Sequence, residues 1–263
     1  MYKNLFFVSL MVFFAVTLQA QNDTMYIMKS GVVVGKYNVN TQVDSIIFHK
    51  PESIAVSGSF TDERDGNTYK IVTIGSQVWM AENLKYLPGV FKFSDGSSTA
   101  ARYYVYGFDG TNVSQAKATS NYKTYGVLYN WPAAMASFAS SNSIPSGVKG
   151  ICPEGWHLPS DAEWTKLTDY LGGIGVAGGK MKESGTAHWI SPNTDGTNES
   201  GFSALPGGYR WNTFDYLGYS GLFWSSTLTS GYAYYRDLGY GNGGVAINGQ
   251  SLYFGMSVRC IKD

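Results

Sequence analysis

Two cysteines, three histidines and one carboxylate-rich loop are the residues of this chain with the most reactive side chains. His49, His157 and His188 are scattered, and none has the spacing of a zinc ligand set. His157 reads as a satisfied, partly buried imidazole. No Gly-x-Ser-x-Gly elbow occurs, so a hydrolase would have no named nucleophile. No catalytic residue is assigned, and the chain is read as not an enzyme. Asp195, Asn198 and Glu199 crowd hard oxygen donors into Asp195-Gly196-Thr197-Asn198-Glu199-Ser200-Gly201, the donor type that calcium accepts at flexible geometry. The spacing is not that of an EF-hand. These three residues are the candidate metal ligands, against the plainer reading of hydrogen bonds within the loop. No cofactor is required, and calcium is the optional ion.

Aromatic residues supply the other signal. The chain has 20 Tyr, 7 Trp and 14 Phe but is only 14% charged, so large rigid faces with polar tips outnumber charges as means of recognition. Tyr209, Trp211, Tyr216 and Tyr219 lie in a glycine-punctuated segment between Pro206 and Leu222 and are the candidate ligand-binding residues. Tyr103, Tyr104 and Tyr106 form a second cluster. Trp156, Trp164, Phe202, Phe223 and Trp224 sit in motif blocks or in strand segments and are assigned to packing.

The elements that must position these residues follow from local pattern. Ser160 three residues before Glu163 is a capping box, so a helix starts near Asp161. Trp164, Leu167 and Leu171 then make one apolar stripe, and Gly172-Gly173 ends the helix. Trp131-Pro132 opens a second, short helix through Phe138. Thr68 to Ile74 and Gln77 to Met80 read as a hairpin turning at Gly75-Ser76. Further strands are predicted at Leu222 to Thr227, Tyr232 to Leu238, Val245 to Ile247 and Tyr253 to Ile261. Residues 88 to 123 and 172 to 202 read as long loops.

At 263 residues and 44% hydrophobic, the chain can bury one good core with a small appendage. Nineteen basic residues balance nineteen acidic ones without a polybasic run, which excludes the electrostatic footprint of a nucleic-acid or anionic-membrane partner. Residues 1–20 read as a signal peptide, with Lys3, an apolar run from Leu5 to Leu18 and a small-residue exit. No membrane span is expected once it is removed, and export to the cell surface or beyond is. Residues 21–55 read as a short β segment of two or three strands with a linker, and 56–263 as the main domain. In an exported chain Cys152 and Cys260 are expected to pair, closing a loop of about 100 residues, for which chain entropy gives about 4.7 kcal/mol.

Ile151-Cys152-Pro153-Glu154-Gly155-Trp156-His157-Leu158-Pro159-Ser160, followed by Glu163-Trp164, resembles the signature of the Fibrobacter succinogenes major paralogous domain. Further blocks agree, from Asp65 to Tyr69, Trp79 to Leu84, Asn198 to Phe202, Pro206 to Gly208 and Ser257 to Cys260. The resemblance implies an α+β, C-type lectin-like mixed fold with short antiparallel sheets, about two helices and long loops that house ligand sites. Leu-Pro-Ser-x-x-Glu-Trp is similar to an element of the formylglycine-generating branch of that fold. Those enzymes place their working cysteines close together late in the domain, whereas only Cys260 lies there in this chain. The Glu-Pro-Asn and Gln-Pro-Asp triplets of calcium-dependent sugar-binding lectins are absent, and Trp211-Asn212-Thr213 departs from their Trp-Asn-Asp.

The expected function is thus a secreted or cell-surface binding and adhesion module presenting loops to a glycan or a surface protein. The alternatives are a surface or fimbria-associated subunit that self-assembles or joins a fimbrial partner through its N-terminal strands, and an enzyme of the formylglycine-generating type.

Overall fold

A computed structural model describes residues 24–29, 32–38, 41 and 57–263, and the chain divides into two compact units, Met1–Glu52 and Ser53–Asp263. In the first unit, β1 (Thr24–Lys29) and β2 (Val32–Asn38) form an antiparallel hairpin whose register shifts between Ile27 and Met28. The predicted signal peptide and the expected strand at Val43 to Phe48 lie outside the described residues. Among the described residues, no helix is long and apolar enough to cross a membrane.

The second unit starts earlier than its first predicted strand. β3 (Ser57–Thr61) precedes it and pairs with β4 (Thr68–Ile74), which turns at Gly75 (φ 63°) into β5 (Gln77–Met80). The long loop expected over residues 88–123 is a correction: it contains β6 (Tyr103–Tyr104), α1 (Val113–Ala118) and α2 (Ser120–Tyr125). Asn112 and Thr119 cap the two helices by accepting from Gln115 N and Tyr122 N. β7 (Leu128–Asn130) leads into α3 (Trp131–Met135), which Asn130 caps. That helix stops short of Phe138 because Ala136 adopts a left-handed conformation (φ 48°).

β8 (Trp156–His157) precedes α4 (Asp161–Tyr170), whose capping box is complete: Ser160 Oγ accepts from Glu163 N, and Glu163 accepts from Ser160 N. α5 (Ala177–Met181) lies where only loop was expected. The remaining strands are β9 (Gly207–Arg210), β10 (Phe214–Leu217), β11 (Ser220–Thr229), β12 (Tyr232–Gly239), β13 (Ala246–Gln250), β14 (Gly255–Met256) and β15 (Ile261–Lys262).

In one sheet the strands run β13-β12-β11-β9-β14-β7-β6, with β10 paired to β9 off that path; in the other they run β3-β4-β5-β15-β8. The unit is an α+β structure, mostly sheet. The expected two helices become five among the described residues, and only α4 is longer than six residues. Trp164 on α4 packs against Trp79 at 4.7 Å and against Phe202 and Phe223 at 5.9 Å each, while Leu167 is buried in the same core. Burying one such ring contributes roughly 1.5–3 kcal/mol, so the stripe accounts for this helix where its modest length would not.

The predicted strand Tyr253 to Ile261 is broken between the sheets. β14 belongs to the first and β15 to the second, and the residues between them divide their backbone bonds. Ser257 O accepts from Trp224 N, Val258 O from Leu84 N and Cys260 O from Met80 N. Fully buried Arg259 fastens this crossing by donating to Asn83 Oδ1 (2.8 Å), Met80 O (3.1 Å), Phe202 O (2.5 Å) and Ser203 O (2.9 Å).

Candidate functional site

The β9–β10 hairpin carries three of the four predicted ligand-binding residues within its strands and turn. Asp215 pairs with Tyr209 and Leu217 with Gly207, so Tyr216 stands opposite Gly208. In a regular strand Tyr216 would point away from the face shared by Tyr209 and Asp215. Its backbone is left-handed instead (φ 61°), as is that of Gly208 (φ 63°). A Cβ on Gly208 would come within 2.2 Å of the Asp215 carbonyl oxygen, so this close crossing requires glycine. For a bulky residue such as tyrosine the left-handed conformation costs about 1–2 kcal/mol.

The bend brings the Tyr216 ring onto Tyr209, with centroids 5.3 Å apart and planes at 27°. From Tyr209 the contacts continue to Phe254 at 5.6 Å, and Phe254 lies parallel to Trp211 at 5.9 Å and 6°. In the other direction Tyr216 meets Tyr219 at 6.4 Å, and Tyr219 meets Tyr240 at 5.3 Å. All four predicted residues thus join one aromatic ribbon. Each contact is worth about 0.5–1.5 kcal/mol beyond area burial, enough to offset the strain at Tyr216. Trp211, Tyr216 and Tyr219 are 48%, 49% and 43% exposed. Burial raises the pKa of the Tyr209 hydroxyl and Asp215 adds to the shift, so the phenol stays neutral.

Sequence reasoning missed Phe254 and Tyr240 because both arrive from distant segments. Their only local signal is an aromatic residue just outside a strand end.

The second predicted cluster is a support rather than a surface. Tyr104 is fully buried, and burial pushes its pKa up to about 12. Tyr103 packs edge-on against Tyr129 at 5.9 Å, and Tyr106 packs on Phe214 of the hairpin at 5.1 Å. Arg210, also fully buried, lies between the rings of Tyr104 (4.5 Å) and Tyr253 (4.4 Å). It donates to Tyr253 O (3.2 Å), Tyr253 Oη (3.1 Å) and, through Nε, Phe93 O (2.7 Å). The hairpin is therefore anchored to two loops from beneath.

Cys152 and Cys260 form a disulfide across 108 residues with Cα atoms 6.0 Å apart. Beside it His157 is held at both nitrogens, Nδ1 by Asp263 Oδ1 (2.6 Å) and Nε2 by Glu163 Oε1 (2.9 Å). Burial opposes the charged ring, but the hydrogen bonds and charges of Glu163 and Asp263 outweigh it and raise its pKa. Cys152, this histidine and the α4 start occupy the block that carried the sequence signature, and Cys260 ends a further matching block.

A model of the Fibrobacter succinogenes major domain matches residues 72–262. The chain belongs to the Fibrobacter succinogenes major domain family. No curated protein and no solved structure gives a match. The matched stretch contains the whole ribbon, the disulfide and the Asp195 loop.

In this Fibrobacter succinogenes major domain, two of the three candidate metal ligands have partners of their own. Asn198 Oδ1 accepts from Ser203 N (2.8 Å) and Nδ2 donates to Ser203 Oγ (2.9 Å). Glu199 faces Lys180 at 3.4 Å, and a Cβ on Gly243 would come within 2.5 Å of Asp195 Oδ2. Among the described residues, no group of three or more His, Cys, Asp or Glu is placed to hold a metal ion. Beside the loop sits a cation of its own chain. Buried Lys182 donates to Thr194 O (2.8 Å), Gly239 O (3.0 Å) and Asn242 O (2.8 Å). Burial pulls its pKa down to about 8, and the Asp195 charge works in the opposite direction.

A shallow depression of about 500 Å³ on the outer side of α4, lined by Asn142, Ile144, Asp161, Thr165 and Lys166 among others, includes none of the predicted site residues.

Proposed function

We propose that the protein is an exported, non-enzymatic binding and adhesion module on a C-type lectin-like scaffold. Its contact surface for a glycan or a surface protein is the ribbon around Tyr209, Trp211, Tyr216 and Tyr219. The observation that carries this reading is the joining of three half-exposed rings into one continuous track, stiffened by buried Arg210. Rigid aromatic faces contribute contact area at low entropic cost. Export is supported by the disulfide, since such bonds persist in oxidising compartments. Both sulfurs are used in it, which favours a scaffold over thiol chemistry.

A glycan and surface-protein screen of the exported chain tests the reading, run with calcium and with chelator. Retention of a ligand by the wild type and its loss in Trp211→Ala/Tyr219→Ala support it. Equal retention by a folded double variant would remove the ribbon as the contact surface. Loss on chelation alone would instead assign the Asp195 loop to calcium.

A second reading has its own observation. The β1–β2 hairpin exposes Tyr26, Ile27, Val32, Val33, Val34 and Tyr37, and a two-stranded ribbon is marginal without a further partner. Assembly through it predicts oligomers that disappear on deleting residues 21–55. An unchanged mass by light scattering would end that reading.

A further inference from the structure

We infer that the ribbon is a docking track for an uncharged polysaccharide and that it works without calcium. This rests on the binding-module reading and names its ligand class.

Ring chemistry gives the first argument. The track is made of aromatic rings alone, and four of its six members are tyrosines with a hydroxyl at the ring tip. A pyranose presents an apolar C–H face with a rim of hydroxyls, so a row of such rings matches a row of sugars. Aliphatic anchors, which a folded protein partner would seat in a pocket, are not part of the row.

Charge gives the second. Asp215, paired across from Tyr209, is the one charged side chain in the strands of the hairpin apart from Arg210. Arg210 is consumed beneath, between Tyr104 and Tyr253. Among the described residues, the cation–π contacts fall on rings outside the ribbon, and no ion pair includes Asp215. An anionic polymer would meet the Asp215 carboxylate, which no ion pair neutralises, whereas a neutral one loses nothing there.

Backbone strain gives the third. Tyr216 holds a left-handed conformation opposite Gly208, and what that conformation achieves is the placement of its half-exposed ring in the row. Strain kept at a surface where it organises exposed groups points to use of those groups. The recognition surface is the ring face, so no metal bridge is needed.

Affinity gel electrophoresis of the full exported chain tests this with hydroxyethylcellulose and yeast mannan as neutral polymers and polygalacturonate as the anionic one, each with and without EDTA. The expected result is retardation by at least one neutral polymer, unchanged by EDTA, and none by polygalacturonate. Trp211→Ala should weaken it roughly tenfold or more, as for an anchor ring at an interface. Tyr216→Gly should abolish it while the thermal midpoint stays near that of the wild type, and Tyr232→Ala, an exposed tyrosine outside the ribbon, should leave it unchanged. Retardation by polygalacturonate, dependence on calcium, or full binding by Tyr216→Gly would each overturn the inference. If no neutral polymer binds but a surface protein is retained through Trp211, the ligand class is wrong and the binding-module reading stands. If neither is retained, both fall.

Discussion

Tyr216 lies over Tyr209 at 5.3 Å because its backbone turns left-handed where a strand would have aimed it to the other face. Ring placement and backbone strain are thus coupled at one residue. Tyr216→Gly removes the left-handed cost of about 1–2 kcal/mol together with two ring contacts, to Tyr209 and Tyr219, of about 0.5–1.5 kcal/mol each. The expected stability change in urea is within about 1 kcal/mol of zero, since gain and loss nearly cancel. A loss of 3 kcal/mol or more would mean that Tyr216 is a packing residue and that its exposure is incidental.

Gly208 is the other half of the crossing. Gly208→Ala places a methyl 2.2 Å from the Asp215 carbonyl oxygen on a left-handed backbone. The hairpin must open to accept it, so tryptophan fluorescence is expected to shift as Trp211 leaves Phe254. An unchanged spectrum and midpoint would show that the crossing is looser than its geometry.

What was legible in the sequence was what neighbouring residues determine. The α4 start at Ser160 and Glu163, the Gly75 turn and the proximity of Tyr209, Trp211, Tyr216 and Tyr219 are all short-range relations. Counting thiols was enough to expect Cys152 with Cys260. Phe254 and Tyr240 were not legible as ribbon members, because only sheet formation brings them to the hairpin. Tyr104 looked like a surface residue in a polar, glycine-rich stretch, and Arg210, more than one hundred residues later, is what buries it. The strand expected across Tyr253 to Ile261 failed for a related reason, since it serves two sheets in turn and Arg259 ties the crossing to the Met80 and Phe202 carbonyls.

The disulfide joins the start of the signature block to the crossing between the sheets. Replacing both cysteines by serine is expected to lower stability by about 2–5 kcal/mol without changing the ligand retained. An unchanged urea midpoint would show that the loop is closed equally well by packing.

His157 gives the domain a pH dependence of known sign. Its folded pKa is raised above 6.5, so its stabilisation is full below the unfolded value and is lost as pH rises through the folded one. The thermal midpoint should fall across that window, and the fall should flatten in His157→Gln. A midpoint that rises over the same range in the wild type alone would refute the assignment.

Lys182 fills the carbonyl cage beside the Asp195 loop. Lys182→Met removes the ammonium shared by three partly buried carbonyls, and the variant is expected to unfold several degrees earlier. EDTA should leave the wild-type midpoint unchanged. A calcium-dependent rise in the wild type would instead place an ion among Asp195, Asn198 and Glu199.

The most direct test of the account is ligand retention by Trp211→Ala/Tyr219→Ala, a variant whose changes fall on half-exposed rings. The account predicts a folded, disulfide-bonded protein that no longer retains the ligand bound by the wild type. Retention at wild-type strength would contradict it and move recognition away from the ribbon.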